Sequence, residues 1–367
     1  MKRTGKKLTG IIAAAVIILS GLIVSGCEKA GPKETFKIGV SAPLTGNVGF
    51  VGVGMKNAML LAKDRLGDTK YNYEFIFEDS QFDPKVAAGA AHKLISIDKV
   101  DAIVSVGHGG PIISPLATKN DIIHFSISIQ PWLAEGDNNF LHWAPSKELN
   151  RVLVEELQRR GIKRVGVFRT VSFEGWAVYM DDFNKRRRSA GIKLVSDQTF
   201  QDGTKDFREL ILKAKKTNPD IYLLLAQTPE LEILAKQIKE AGIDTPMTSI
   251  ESFEATKETD LFEGYWYVSA MSPTSDFTDA YKQKYHDKPP VAAANAYDIV
   301  NLIVTAVEKA GAGLPGKPPT AEISKELRKI KNFPGALGNL VVGDDGIVLS
   351  GVQLKMIKNG EHVVMGE

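Results

Sequence analysis

The strongest constraint on this chain is a rhythm. From Phe36 onward, short runs rich in β-branched and aromatic residues alternate with longer stretches of helical spacing. Residues 36–40, 71–77, 102–106 and 122–128 read as strands, and 55–66 and 84–97 as helices, the second opened by Pro84. A short helix follows the loop Gly107-His108-Gly109-Gly110. Repeated strand, helix, strand units imply parallel sheets with right-handed crossovers and helices on both faces. The rhythm then restarts. Helices are expected at 147–160, 174–190 and 207–216, and strands at 164–169, 193–200, 221–226 and 264–268. Helical spacing returns at 277–285 and 292–310. The fold class is therefore α/β, with two doubly wound parallel-sheet lobes.

Three short proline-bearing places can carry the chain between lobes: Ala144-Pro145, Met271-Ser272-Pro273 and Pro334-Gly335. Taken as a three-segment hinge, they divide the chain into a first lobe of 36–144 plus 272–335 and a second of 145–271 plus 336–367. At the end, 338–342, the turn Gly343-Asp344-Asp345-Gly346 and 347–358 read as one antiparallel hairpin.

The first residues form an address rather than a domain. Lys2, Arg3, Lys6 and Lys7 precede an apolar stretch that ends at Ser25-Gly26-Cys27, the order of a secretory signal. Ser20 and Gly21 interrupt that stretch, which is short for a spanning helix of about 20 residues. Val24-Ser25-Gly26-Cys27 resembles the bacterial lipoprotein box, which makes 1–26 the signal peptide, Cys27 the lipid-attachment site and 27–35 a tether. The single cysteine of the chain falls there, and a lone thiol cannot close an intrachain disulfide. The expected location is the extracytoplasmic or periplasmic face of a bacterial membrane, held by the lipid anchor alone.

Charge argues against nucleic acid as a partner. The chain carries 46 basic and 44 acidic residues, and a chain cut before Cys27 carries 42 against 44. The cluster Lys185-Arg186-Arg187-Arg188 sits near a helix C-terminus, where cations face the macrodipole favourably. Gly46, Gly49, Gly52 and Gly54 follow the first strand, but their spacing is not G-x-G-x-x-G. Such a loop can still turn backbone amides toward an anion. The six histidines include no H-E-x-x-H and no i, i+4 pair, and no G-x-S-x-G elbow or Walker loop occurs. No metal, no cofactor and no catalytic residue is expected.

What remains is the carboxyl edge of each sheet, where open α/β sheets bind ligands. In the first lobe this is 41–45, 107–110 and 126–130; in the second it is 170–173, 227–230 and Glu251. Two such edges across a hinge form a closing cleft.

The lipoprotein box, Ser41-Ala42-Pro43-Leu44-Thr45-Gly46, the Asp79-Ser80 strand end and the Asp298 region of the 292–310 helix together resemble the branched-chain amino-acid-binding family. These are solute receptors of ABC importers with the type I periplasmic binding protein fold, and the resemblance covers nearly the whole chain after Cys27. It implies a small-molecule ligand, an amino acid or analogue, ABC permease subunits as partners, and a monomer. It also implies that the first lobe holds the ligand carboxylate through the loops after its third and fourth strands, here Gly109-Gly110-Pro111-Ile112 and Ser128-Ile129-Gln130. The serine usual in the first of these loops is absent. Ser126, Ser128 and the amides around Gly110 and Gln130 stand in its place. In the second lobe the resemblance gives Phe173 as the aromatic contact, Gln227 or Thr228 as the second contact, and Glu251 as the acid that pairs with an ammonium. Trp132, Trp176, Phe50 and His108 lie near these loops, with Trp132 the first choice for an apolar ligand body. Two alternatives stay open: a sensor of the same fold coupled to a regulator, and a receptor for an amide or aromatic acid.

Overall fold

A computed structural model describes residues 33–172 and 174–366. The signal segment, Cys27 and Phe173 lie outside the described residues. Along the chain the first lobe begins β1 (Thr35–Ala42), α1 (Gly49–Asp64), β2 (Asn72–Asp79), α2 (Pro84–His92), β3 (Ala102–Val106), α3 (Gly109–Lys119), β4 (Ile123–Ile127) and β5 (Asn139–His142). The second lobe runs α4 (Ser146–Arg159), β6 (Arg164–Thr170), α5 (Gly175–Ser189), β7 (Lys193–Phe200), α6 (Arg208–Lys215), β8 (Ile221–Leu225), α7 (Glu230–Glu240), β9 (Met247–Ser249) and β10 (Trp266–Ala270). Then follow α8 (Ser275–Tyr285), α9 (Ala293–Ala310), α10 (Thr320–Arg328), β11 (Phe333–Gly335), β12 (Gly338–Val342), β13 (Ile347–Leu349), β14 (Val352–Lys358) and β15 (Glu361–Val364).

The first sheet has the order β11-β12-β13-β5-β4-β3-β1-β2. Pairing is parallel from β13 through β2, and antiparallel at β11–β12 and β12–β13. The second lobe holds the parallel sheet β7-β6-β8-β9 and the antiparallel ribbon β10-β14-β15, joined by a bridge from Ile250 to Val268. Helices cover both faces, so the central strands β3, β4 and β8 are buried at every residue, as two-sided coverage requires. In the first lobe α1 and α9 fill one face with Met55, Met59, Ile299 and Ile303, while Leu94, Ile103, Ile113 and Ala117 pack on the other. In the second, α4 and α5 contribute Leu149, Leu153, Tyr179 and Phe183, and α6 and α7 contribute Ile211, Leu234 and Ile238.

Sheet membership corrects the third crossing. β11, β12 and β13 all belong to the first sheet, and Ile347 and Val348 pair with Leu141 and His142 of β5. The chain therefore leaves that sheet at Ser350-Gly351, not at Pro334-Gly335, and the run 347–358 is two strands in two sheets rather than one arm of a hairpin. Asp298 explains why Pro334-Gly335 stays in place: its buried carboxylate accepts the amides of Ala336 and Leu337, pinning the β11–β12 turn to α9. The other two passages lie between His142 and Ser146 and between Ala270 and Ser275. Beyond the third, Met271 donates its amide to the Gly351 carbonyl at 3.0 Å, which extends the β10–β14 ladder through two crossings. A Cβ on Gly351 would lie 2.4 Å from Met271 Cγ, so a side chain there would displace that of Met271.

Two glycines of the 46–54 loop serve packing. A Cβ on Gly52 would fall 1.9 Å from the Pro43 carbonyl oxygen, and one on Gly54 would fall 2.0 Å from Pro290. They let the first turns of α1 lie directly on neighbouring chain, which accounts for the glycines without a phosphate. The 84–97 helix ends as a π-helical turn over Lys93–Ile97. Among the described residues no helix is long and apolar enough to cross a membrane.

Candidate ligand cleft between the lobes

The strand order reverses around β1 in the first sheet and around β6 in the second, and such switch points open a crevice at the carboxyl edge. In the first lobe Asp79, at the end of β2, organises the loop after β1. It accepts the Leu44 amide at 2.8 Å, the Thr45 hydroxyl at 2.6 Å and the Gln81 amide at 2.9 Å. Burial alone would raise its carboxyl, but these donors hold it below the usual range.

The next turn is unusual. Asp83 donates its amide to the Ser80 carbonyl at 2.8 Å, and the two central residues, Gln81 and Phe82, both take positive φ, 50° and 56°. That sign pattern belongs to a turn normally built from Asn-Gly, and each non-glycine residue there costs about 1–2 kcal/mol. Asp79 and Asp83 hold it closed, the latter by capping α2 through the amides of Lys85 and Val86. Phe82 is thereby laid over Gly107 and against the His108 ring, centroid to centroid 4.7 Å. Gly107 makes this approach feasible, because its Cβ would sit 2.3 Å from the Phe82 ring and its φ is +60°.

Behind the α3 N-terminus lies a buried polar layer. Ser41, Ser105 and Ser126 stand in register on β1, β3 and β4. His124 donates Nδ1–H to Asn139 Oδ1 at 3.0 Å and accepts the Ser105 hydroxyl at Nε2 at 2.8 Å. Burial drives the His124 imidazole down to about 4, so it is neutral at pH 7. Ser126 is fully buried under Gly110, where a Cβ would come within 2.6 Å of its hydroxyl. Ser128 and Gln130 are buried too, and Ser128 donates to Gln130 Oε1. Trp132 is 44% exposed and Phe50 61%, whereas Trp176 packs within the second-lobe core beside Tyr179.

On the facing lobe, Gln227 and Thr228 are exposed just past β8, and the Ala226 amide is tied to Ser252 Oγ at 3.3 Å. Glu251 follows β9 with a left-handed backbone, φ 60°, and its amide donates to the Val268 carbonyl. Its Oε2 accepts Trp143 Nε1–H at 2.9 Å and the Tyr179 hydroxyl at 2.5 Å. Burial raises the Glu251 carboxyl to about 7 against the pull of those donors. No lysine or arginine pairs with it among the described residues; the nearby cation Lys355 is taken by Glu254. Sequence reading found Glu251 but neither of its partners. Trp143 lies one residue before the Ala144-Pro145 crossing, and Tyr179 on the inward stripe of α5, and only packing reveals that both aim at one carboxylate.

The family model described as "Periplasmic binding protein" matches residues 35–361. The chain belongs to this family. A leucine-, isoleucine-, valine-, threonine- and alanine-binding protein of Pseudomonas aeruginosa is 25% identical over 387 aligned positions, covering 94% of each chain. A Leu/Ile/Val-binding protein of Rhizobium johnstonii is 24% identical, covering 85% of this chain and 89% of the relative. In fold, a leucine-binding protein from Thermotoga maritima superposes with a TM-score of 0.79 at 23% identity, covering 90% of this chain and 98% of the other. An ABC-transporter solute-binding protein from R. palustris in complex with benzoate gives a TM-score of 0.78 at 16% identity, covering 90% and 96%. The family thus carries the type I periplasmic binding protein fold expected from the sequence, and relatives with one architecture are named for aliphatic amino acids and for an aromatic acid.

Proposed function

We propose that the chain is the exported solute receptor of an ABC importer, anchored by lipid at Cys27, and that it traps an amine-bearing ligand, an amino acid or close analogue, between its lobes. One observation supports the ligand class: the carboxylate of Glu251, just past the carboxyl end of β9, is held by Trp143, Tyr179 and the Ala270 amide and, among the described residues, by no lysine or arginine. An entering ammonium supplies the missing positive charge, and an unpaired charge in a closed cleft would be costly. The edges around Gly109, Gly110, Ser128 and Gln130 offer amides and hydroxyls to the polar end of the ligand, and Trp132, Phe173, Gln227 and Thr228 border its body. Ser126 supports this edge from beneath Gly110. No bond is broken; the ligand moves the hinge through its higher affinity for the closed state. The permease is the expected partner, and the receptor acts as a monomer.

A second reading, an aromatic acid as ligand, is favoured by exposed Trp132. Calorimetry with leucine, alanine and benzoate, together with solution scattering, tests both. The receptor reading requires that a binding solute shrink the radius of gyration; tight binding without compaction overturns it.

A further inference from the structure

We propose that Phe82 and His108 form an aromatic wall at the first lobe's switch point, and that the ligand presents a flat ring to it. This rests on the receptor reading above and names the ligand body that reading leaves open. Phe82 follows β2 and His108 follows β3, the two neighbours of β1, so their contact arches over the end of β1 where the crevice opens. Phe82 belongs to neither lobe's core, so its ring is not there to fill an interior. The chain nevertheless holds it in a turn whose two central residues are both strained, and clears Gly107 to admit it. Strain of this kind persists where the surroundings over-determine it, as at ligand clamps.

The neighbouring loops extend the same chemistry. Following the sheet order β4-β3-β1-β2, their tips carry Trp132, His108, Phe50 and Phe82, and the segments 43–52, 80–84, 107–115 and 128–134 contain no lysine or arginine. The lip thus offers ring faces and edges, which favour offset or tilted stacking on another ring, and no side-chain cation. With Glu251 opposite, the fitting class is an aryl group carried on an amine.

The test uses two matched pairs on the mature chain by calorimetry: phenylalanine against leucine, and 2-phenylethylamine against isopentylamine. The ring-bearing member of at least one pair is expected to bind tenfold or more tightly. Phe82→Gly is expected to abolish that preference while raising the melting temperature of the ligand-free protein, since glycine adopts positive φ without strain. Phe82→Leu keeps apolar bulk but removes the ring, and the same loss of preference is expected of it. An aliphatic member that binds tightly and compacts the protein, with no ring preference, overturns this inference and leaves the receptor reading standing. Ring preference undiminished in both variants also overturns it. If none of the four binds or compacts the chain, both readings fall.

Discussion

Trp143 donates its indole N–H to Glu251 Oε2 at 2.9 Å, so the candidate ligand carboxylate of the second lobe is tied to the segment by which the chain leaves the first. Trp143 also packs against the cores of both lobes. On the proposed function, its ring is the pivot of the hinge and its N–H a hydrogen bond to the acid that meets the ligand.

Replacing Glu251 by Gln is expected to weaken an amine-bearing ligand by roughly a hundredfold or more, the cost of breaking a buried charge pair. Calorimetry at pH 7.5 measures it. Unchanged affinity would remove Glu251 from the site.

Trp143→Phe keeps the pivot but deletes one donor to Glu251. A hydrogen bond to a charged group contributes about 1.5–3 kcal/mol, so amine affinity at pH 7 should drop about tenfold or more and recover at higher pH. A drop of the same size at every pH would point to lost packing instead.

Glu251 and His124 set opposite pH dependences. Glu251 is raised from 4.5 to about 7, so between those values the folded chain holds a proton that the unfolded chain has released, and its contribution falls as pH rises. His124 is lowered from 6.5 to about 4, so the unfolded chain takes up a proton that the folded chain refuses, and stability falls as pH drops through that window. Each is on the order of 3 kcal/mol. Between pH 4.5 and 6.5 they oppose each other. Urea unfolding should show stability rising more steeply with pH in Glu251→Gln than in the wild type, and less steeply in His124→Gln. Parallel profiles for all three proteins would contradict the burial of both groups.

Two glycines in helices should respond in opposite directions. Gly52→Ala drives a Cβ into a backbone carbonyl and should cost about 1–3 kcal/mol. Gly89→Ala in α2 meets nothing within 4 Å and should gain about 0.5–1 kcal/mol. Equal effects would mean that the loop at Pro43 yields freely.

Much of the fold was legible because buried parallel strands and amphipathic helices leave periodic marks. Helix α1 begins at Gly49, ahead of the expected 55, because Gly49, Gly52 and Gly54 read as a loop until the packing on Pro43 and Pro290 is seen. The Ser350-Gly351 crossing was hidden because two small residues between apolar runs do not by themselves break a strand-like stretch from 347 to 358, and strand pairing is a tertiary choice. In the site, an acid just past a strand end could be found by position. The partners of Glu251 and the seat of Phe82 depend on side chains meeting across distant segments, and no spacing announces them.

The amide of Met271 on the carbonyl of Gly351, with Gln353 Nε2 on Ser272 Oγ at 2.8 Å, laces two of the three connections into one ribbon. Mechanically the lobes then hang on a plank and a cord. Such a suspension opposes shear more than rotation about its own line, so the closure proposed above would enclose every solute along the same arc, whatever its size.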